Sequence, residues 1–180
     1  MTYKCIYKTP NDFDDILMDS DGEYLTGLHF INSIDESAYS INCKEKDLHI
    51  FRETAKWLDI YFTGKEPEFT PKYKISNLTP FRQEVIDIIK SIKFGETITY
   101  KEISEKIAKK KGLKRMSAQA VGGAVGWNPI CIIIPCHRVV GTNGSLTGYS
   151  GGIKNKVALL TIEKNDMSKY FIPKRGTALW

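Results

Sequence analysis

No stretch of this sequence approaches the roughly 20 consecutive apolar residues that span a bilayer. The opening MTYKCIYKTP also lacks the continuous apolar run of a secretory signal. Cysteine is scarce: there are four, none in a Cys-x-x-Cys pair, which excludes a disulfide framework. A cytoplasmic, reducing location without membrane association is therefore expected. Histidine is scarcer still, with three in the chain, so a four-ligand metal site is hard to assemble and none is expected. No glycine-rich phosphate-binding pattern follows a strand, so no cofactor is expected either. What is there is ordinary for a globular chain: 42% apolar and 26% charged residues over 180 positions exclude intrinsic disorder.

Acidic residues are also few in one half. Residues 1–75 carry 9 basic and 14 acidic side chains, and residues 76–180 carry 17 basic and 7 acidic. Lys106, Lys109, Lys110, Lys111, Lys114 and Arg115 crowd into one short segment. Such clustering favours a polyanionic partner, and without a large apolar face beside it nucleic acid fits better than a membrane surface.

The periodicities divide the chain at the same place. Tyr3–Tyr7, Ile16–Met18 and 25–31 read as short strands between turn-rich segments. Phe51, Ala55, Leu58 and Phe62 then mark one face of a helix over 47–63 that covers the sheet and stops at Gly64. A proline-containing linker, 66–71, leads into a helical region. Its first helix starts at Thr79-Pro80 with Phe81, Val85, Ile88, Ile89 and Ile92 on its apolar face and Gly95 at its end. A second starts at Thr99 with Glu102 in a capping box, burying Ile103, Ile107 and Leu113. A third begins near Ser117 and contains the adjacent glycines Gly122 and Gly123. The pair resembles a helix-turn-helix. The glycines serve either close helix packing or close approach to a nucleic-acid groove. The fold class expected is α/β (α+β): an N-terminal sheet-and-helix domain, 1–75, and a helical C-terminal domain, 76–180.

The run from Ile130 to Ile134 has the composition of a buried strand and ends at Pro135-Cys136-His137-Arg138. A thiol needs help to ionise at neutral pH, and a neighbouring histidine can give it. From these residues alone Cys136 reads either as a reactive thiol or as a small buried hydrophobe. Strand neighbours point to opposite faces, so His137 would reach the thiol only through a turn or a water.

The wider stretch resembles the O6-alkylguanine-DNA alkyltransferases, also called methylated-DNA–protein-cysteine methyltransferases. The residues that carry the likeness are Asn128-Pro129, the run from Ile134 to Val140, Tyr149-Ser150-Gly151-Gly152, Tyr100 after Thr99, and the Ala120–Ala124 helix, within Phe81 to Glu163. The resemblance implies direct-reversal DNA repair: Cys136 takes the alkyl group from O6-alkylguanine, irreversibly and once, with O4-alkylthymine an open second substrate. It implies that His137, oriented by Glu163, takes the thiol proton through a water, and that Asn128 braces the turn. Tyr100 and the Ser150 N–H would meet charge on the leaving base. The Cys136 and Val139 carbonyls would select guanine, and Tyr149 would line the pocket. Ser117, Gln119, Ala120, Gly123, Lys114 and Arg115 would face the minor groove of double-stranded DNA, with the protein a monomer.

Three positions depart from the family's pattern or leave it open. Gln119 stands where many members place an arginine that fills the gap left by the flipped nucleotide, which implies weaker flipping or help from Arg115. Trp127 either stacks near DNA or packs under the turn. Cys131 reads as an inert packing group. Some relatives hold a structural zinc; Cys5 and His29 fit two of its ligands, but Tyr24 stands near the expected second cysteine, and Cys43 and His49 read as incidental. The alternative function is an alkyl-lesion sensor with little or no transfer, but such proteins replace the acceptor cysteine and this chain keeps it. A transcription regulator would leave Cys136, His137 and Glu163 without a purpose, and a thiol hydrolase would lack an oxyanion-type glycine motif.

Overall fold

The structure, a computed structural model, describes residues 1–10, 12–31, 44–45 and 47–174. Its mixed architecture agrees with the fold class expected. Strands β1 (Tyr3–Tyr7), β2 (Ile16–Ser20), β3 (Leu25–Phe30) and β4 (Lys44–Glu45) form one sheet in the order β3-β2-β1-β4. β2 is antiparallel to both neighbours, while β4 lies parallel to β1. Alternation along β2 buries Ile16, Met18 and Ser20, the signature of a sheet with one covered face. Helix α1 (His49–Tyr61) packs on β2 and buries Phe51, Thr54, Trp57, Leu58 and Tyr61.

Helix α2 (Pro80–Lys90) opens as its sequence dictates: Thr79 accepts from the Arg82 N–H and Pro80 occupies the first turn, where its missing N–H costs nothing. Strand β5 (Ile98–Thr99) runs straight into α3 (Tyr100–Lys111), whose capping box pairs Thr99 with Glu102 in both directions. Gly112, at φ +66°, closes α3 in the left-handed conformation that glycine adopts at low cost. The turn then reaches Ser117, which caps α4 (Ala118–Gly126) by accepting from the Ala120 N–H. Ile103 and Ile107 are buried as expected, but Leu113 is 48% exposed, because the chain has already left the helix at Gly112.

The largest departure from sequence reasoning is the apolar run before Pro135. It is a tight turn, with no strand, because Asn128 and β3 supply partners for its backbone at short range. Leu28 N–H donates to the Pro129 carbonyl at 2.9 Å and Cys131 N–H to the Leu28 carbonyl at 3.0 Å. Ile132 sits at φ +67° with the Ile133 N–H bonded back to the Cys131 carbonyl at 2.8 Å, a strained three-residue turn for a β-branched residue. After it, Cys136–Arg138 form one turn of 3-10 helix, and β6 (Val139–Val140) pairs in parallel with β5.

Helix α5 (Ile153–Ile162), unforeseen from the sequence, buries Asn155, Lys156, Leu159 and Leu160. Beyond it the chain folds back: Phe171 accepts from the Leu146 N–H at 2.8 Å and donates to the Gly144 carbonyl at 3.1 Å. Ile16, Leu58, Val85, Ile103, Val121 and Leu159 all belong to one contiguous buried cluster. No helix among the described residues is long and apolar enough to cross a membrane.

Candidate active site and nucleic-acid interface

The turn from Asn128 delivers Cys136 to the interior at 2% exposure. Asn128 is the hub. Its amide donates to the Ile134 carbonyl at 2.8 Å, the Ile130 carbonyl at 3.3 Å and Cys136 Sγ at 3.1 Å, while its oxygen accepts from the Ile130 N–H at 3.1 Å. One side chain thus holds the strained turn and points a donor at the sulfur. Burial pushes the Cys136 thiol up, only partly offset by the Asn128 hydrogen bond and by the charge of Lys156. The resting group is a neutral thiol that needs a base.

The next residue, His137, can accept a proton. It is fully buried; its Nε2 lies 2.8 Å from Glu163 Oε1, while Nδ1 is buried with no hydrogen-bond partner among the described residues. Nε2–H donating to the carboxylate fixes the tautomer that leaves Nδ1 with a free lone pair. Burial lowers the His137 pKa against the raising influence of Glu163, so the ring is neutral at pH 7. Arg138 clamps Glu163 through Nε at 2.9 Å to Oε2 and Nη2 at 2.8 Å to Oε1, and donates Nη1 to the Ile92 carbonyl at 2.6 Å. Burial alone would raise the Glu163 carboxyl; His137 and Arg138 outweigh it and hold it below the ordinary carboxylate range. Glu163 thus holds both His137 and Arg138, and a 3-10 turn, not a strand, carries Cys136 and His137 into the interior.

Around the thiol, Tyr100 at the start of α3 donates through Oη to the Thr147 and Gly148 carbonyls at 3.2 and 3.3 Å. Burial raises its pKa, so it remains a donor at neutral pH. Tyr149 is 5% exposed, and its hydroxyl is buried with no hydrogen-bond partner among the described residues. Ser150, half-buried, follows it. Val139 is buried, and its carbonyl accepts from Lys156 Nζ at 2.7 Å.

Lys156 escaped sequence reasoning. Its ammonium also reaches the Thr147 carbonyl at 3.0 Å, tying β6 to the loop before Tyr149. Burial lowers its pKa to about 8, and the nearby Cys136 opposes that fall. A lysine at the spacing of an apolar helical face, between Ile153 and Leu160, was the available signal.

On the outer side, Lys114, Arg115, Ser117, Gln119, Ala120 and Gly123 are all exposed. A Cβ on Gly123 would meet nothing within 4 Å, so this glycine is not required for internal packing. At Gly122 the Tyr100 ring lies at 4.0 Å, an ordinary contact. Lys110 and Lys111 approach Glu84 at 3.8 and 2.8 Å, which leaves Lys106, Lys109, Lys114 and Arg115 as the less committed cations. Trp127 packs: it is half-buried against the core, with the Arg82 guanidinium 3.9 Å over its ring. Cys131 is buried and its thiol donates to the Leu28 carbonyl at 2.6 Å. Among the described residues no three His, Cys, Asp or Glu side chains gather as a metal site, His49 is exposed, and Cys43 lies outside the described residues.

A buried thiol with an amide donor on its sulfur and a neutral histidine held by an ionised glutamate form a candidate nucleophile site in a chain that also carries a cationic helix-turn-helix. Residues 80–165 match the family model described as 6-O-methylguanine DNA methyltransferase, DNA binding domain. A methylated-DNA–protein-cysteine methyltransferase of Methanosarcina acetivorans is 37% identical, over 89% of this chain and 97% of that one. Its namesake in Methanosarcina barkeri is 44% identical over 65% of this chain and 70% of that one. Among solved structures, the O6-methylguanine methyltransferase of Mycobacterium tuberculosis superposes with a TM-score of 0.74 at 36% identity, covering 91% of this chain and 93% of that one. Mycobacterium tuberculosis OGT in complex with DNA superposes at 0.72 and 34% identity, covering 94% of each. The chain belongs to the methylated-DNA–protein-cysteine methyltransferase family.

Proposed function

We propose that this protein repairs DNA by direct reversal, transferring the alkyl group of O6-alkylguanine to its own Cys136. The observation that carries the reading is the buried Cys136 with the Asn128 amide on its sulfur, followed in the chain by a neutral His137 held by Glu163. In the proposed reaction the thiol proton passes through a water to His137 Nδ1, and the growing imidazolium charge is met by Glu163. The thiolate sulfur bonds to the alkyl carbon as the carbon–O6 bond breaks, and that electron pair goes to O6. Tyr100 turns its hydroxyl from the two long carbonyl contacts towards guanine N3, and the Ser150 N–H meets O6, so charge on the leaving base is stabilised where it develops. The Cys136 and Val139 carbonyls select guanine, and Tyr149 walls the pocket. A thioether is a poor leaving group, so the protein acts once.

Access fits the same reading. The buried thiol can reach a base only if the nucleotide leaves the stack, which costs a few kcal/mol and least at a lesion. Helix α4 presents Ser117, Gln119, Ala120 and Gly123, small or uncharged groups suited to the minor groove of duplex DNA, while Lys114 and Arg115 neutralise phosphates. We propose that the chain works as a monomer, with residues 1–75 and 76–180 as its two domains. The test is the mass of the protein after incubation with duplex DNA carrying one O6-methylguanine. A gain of one methylene, confined to the Cys136 peptide and absent in Cys136→Ser, is expected. Tight binding with no mass change would overturn transfer and favour a lesion sensor.

A further inference from the structure

Helix α1 belongs to the sheet-covering part of the chain, yet its last residue enters the reaction centre. Tyr61 is 1% exposed, and its hydroxyl donates to Glu163 Oε1 at 2.7 Å. That is the same oxygen that faces His137 Nε2 at 2.8 Å, and the phenol oxygen lies 3.3 Å from that nitrogen. The tyrosine is held in place by its surroundings: Trp57 stacks on it at 5.3 Å, and Phe94 and the His137 ring meet it edge-on at 6.0 and 6.5 Å. Such packing alone could be met by phenylalanine. The hydroxyl has a different job.

We propose that Tyr61 is a positioning residue for the His137–Glu163 pair, its hydroxyl sharing Glu163 Oε1 with His137 so that the imidazole stays neutral with Nδ1 free to take a proton. Glu163 receives donors from four residues: Tyr61 from α1, His137 and Arg138 from the active-site turn, and the Gly95 N–H, which reaches Oε2 at 3.3 Å. Each donor disperses the carboxylate charge and weakens its pull on the others. Without the phenol, Glu163 would hold the imidazolium more strongly, and His137 would carry its own proton to higher pH. The other charged groups acting on His137 are Arg138 from its own turn and Lys156 from α5, while Tyr149 and Cys131 lie close enough to act on Tyr61. All stay unchanged in the comparison below.

The consequence rests on the alkyl-transfer reading, and the experiment separates the two. Full-length wild type and Tyr61→Phe are compared by the single-turnover rate on O6-methylguanine duplex across pH, and by the nitrogen-15 NMR titration of His137 without DNA. Tyr61→Phe is expected to move the acid limb of the rate profile and the His137 midpoint up together by about one pH unit. That is a roughly tenfold slower reaction below both midpoints, with an unchanged plateau. Replacement of Tyr61 by 3-fluorotyrosine, a stronger donor, is expected to move both the other way, which a packing role would not do. Equal His137 midpoints in all three proteins, or a uniform rate loss with no shift, would overturn the proposal. Should Tyr61→Phe fail to fold, wild type against the fluorotyrosine protein decides by the same midpoint. A wild type that transfers nothing would sink the alkyl-transfer reading alone, and the NMR midpoints would still decide the role of Tyr61.

Discussion

Asn128 illustrates how much one side chain can organise. It spends every polar atom on the turn that carries the nucleophile, and the turn contains a β-branched residue at positive φ that isolated backbone would not keep. Asn128→Ala should therefore lower stability by about 3 kcal/mol in urea unfolding, from several buried groups left unpaired. It should also slow the reaction of Cys136, which loses the only side-chain donor recorded on its sulfur among the described residues. A loss below about 0.5 kcal/mol would mean the turn stands without its hub, since surface-like changes fall in that range. The resemblance implied that Asn128 braces the turn, but the strand expected from its apolar composition hid what it braces. Periodicity cannot distinguish a buried strand from a buried turn when every residue is apolar. Tyr61 and Lys156 show a related limit: their spacing places each on a buried helical face, but only the tertiary arrangement shows what their polar ends meet.

At the scale of elements, helix starts were the most legible features because caps are local chemistry. Thr79 and Thr99 accept from the backbone N–H three residues on, as the sequence predicted, and Ser117, near which a helix start was expected, does the same. The two-residue strands β5 and β6 carried no signal of their own, since their pairing depends on residues far apart in the chain. Helix α4 makes the sharpest element-level prediction. Gly123 has open space where a Cβ would go, so Gly123→Ala should stabilise the fold by about 0.5–1 kcal/mol through helix propensity. If α4 enters a groove, the same change should weaken duplex DNA binding several-fold. A variant with a higher melting temperature and undiminished DNA affinity would count against groove insertion by this face.

The whole molecule is electrically lopsided, with acidic charge gathered in residues 1–75 and basic charge in residues 76–180. Of the six clustered cations, Lys110 and Lys111 are drawn to Glu84, so four remain for phosphates. At about −0.9 per neutralised phosphate, the logarithm of DNA affinity should fall against the logarithm of salt with a slope of about −4. A fluorescence titration over several salt concentrations reads the slope directly, and a value near zero would remove the electrostatic part of the account. The proposed division of the chain rests on this asymmetry and on the proline-containing linker. The joint was not: α1 closes the sheet with one face and delivers Tyr61 to Glu163 with its last turn.

In the proposed reaction Cys136 is consumed as it repairs. Duplex DNA carrying O6-methylguanine, in large excess over protein, should be restored to guanine until one equivalent per protein has been repaired, and then no further. Continued restoration beyond one equivalent, or repair undiminished in Cys136→Ser, would contradict it.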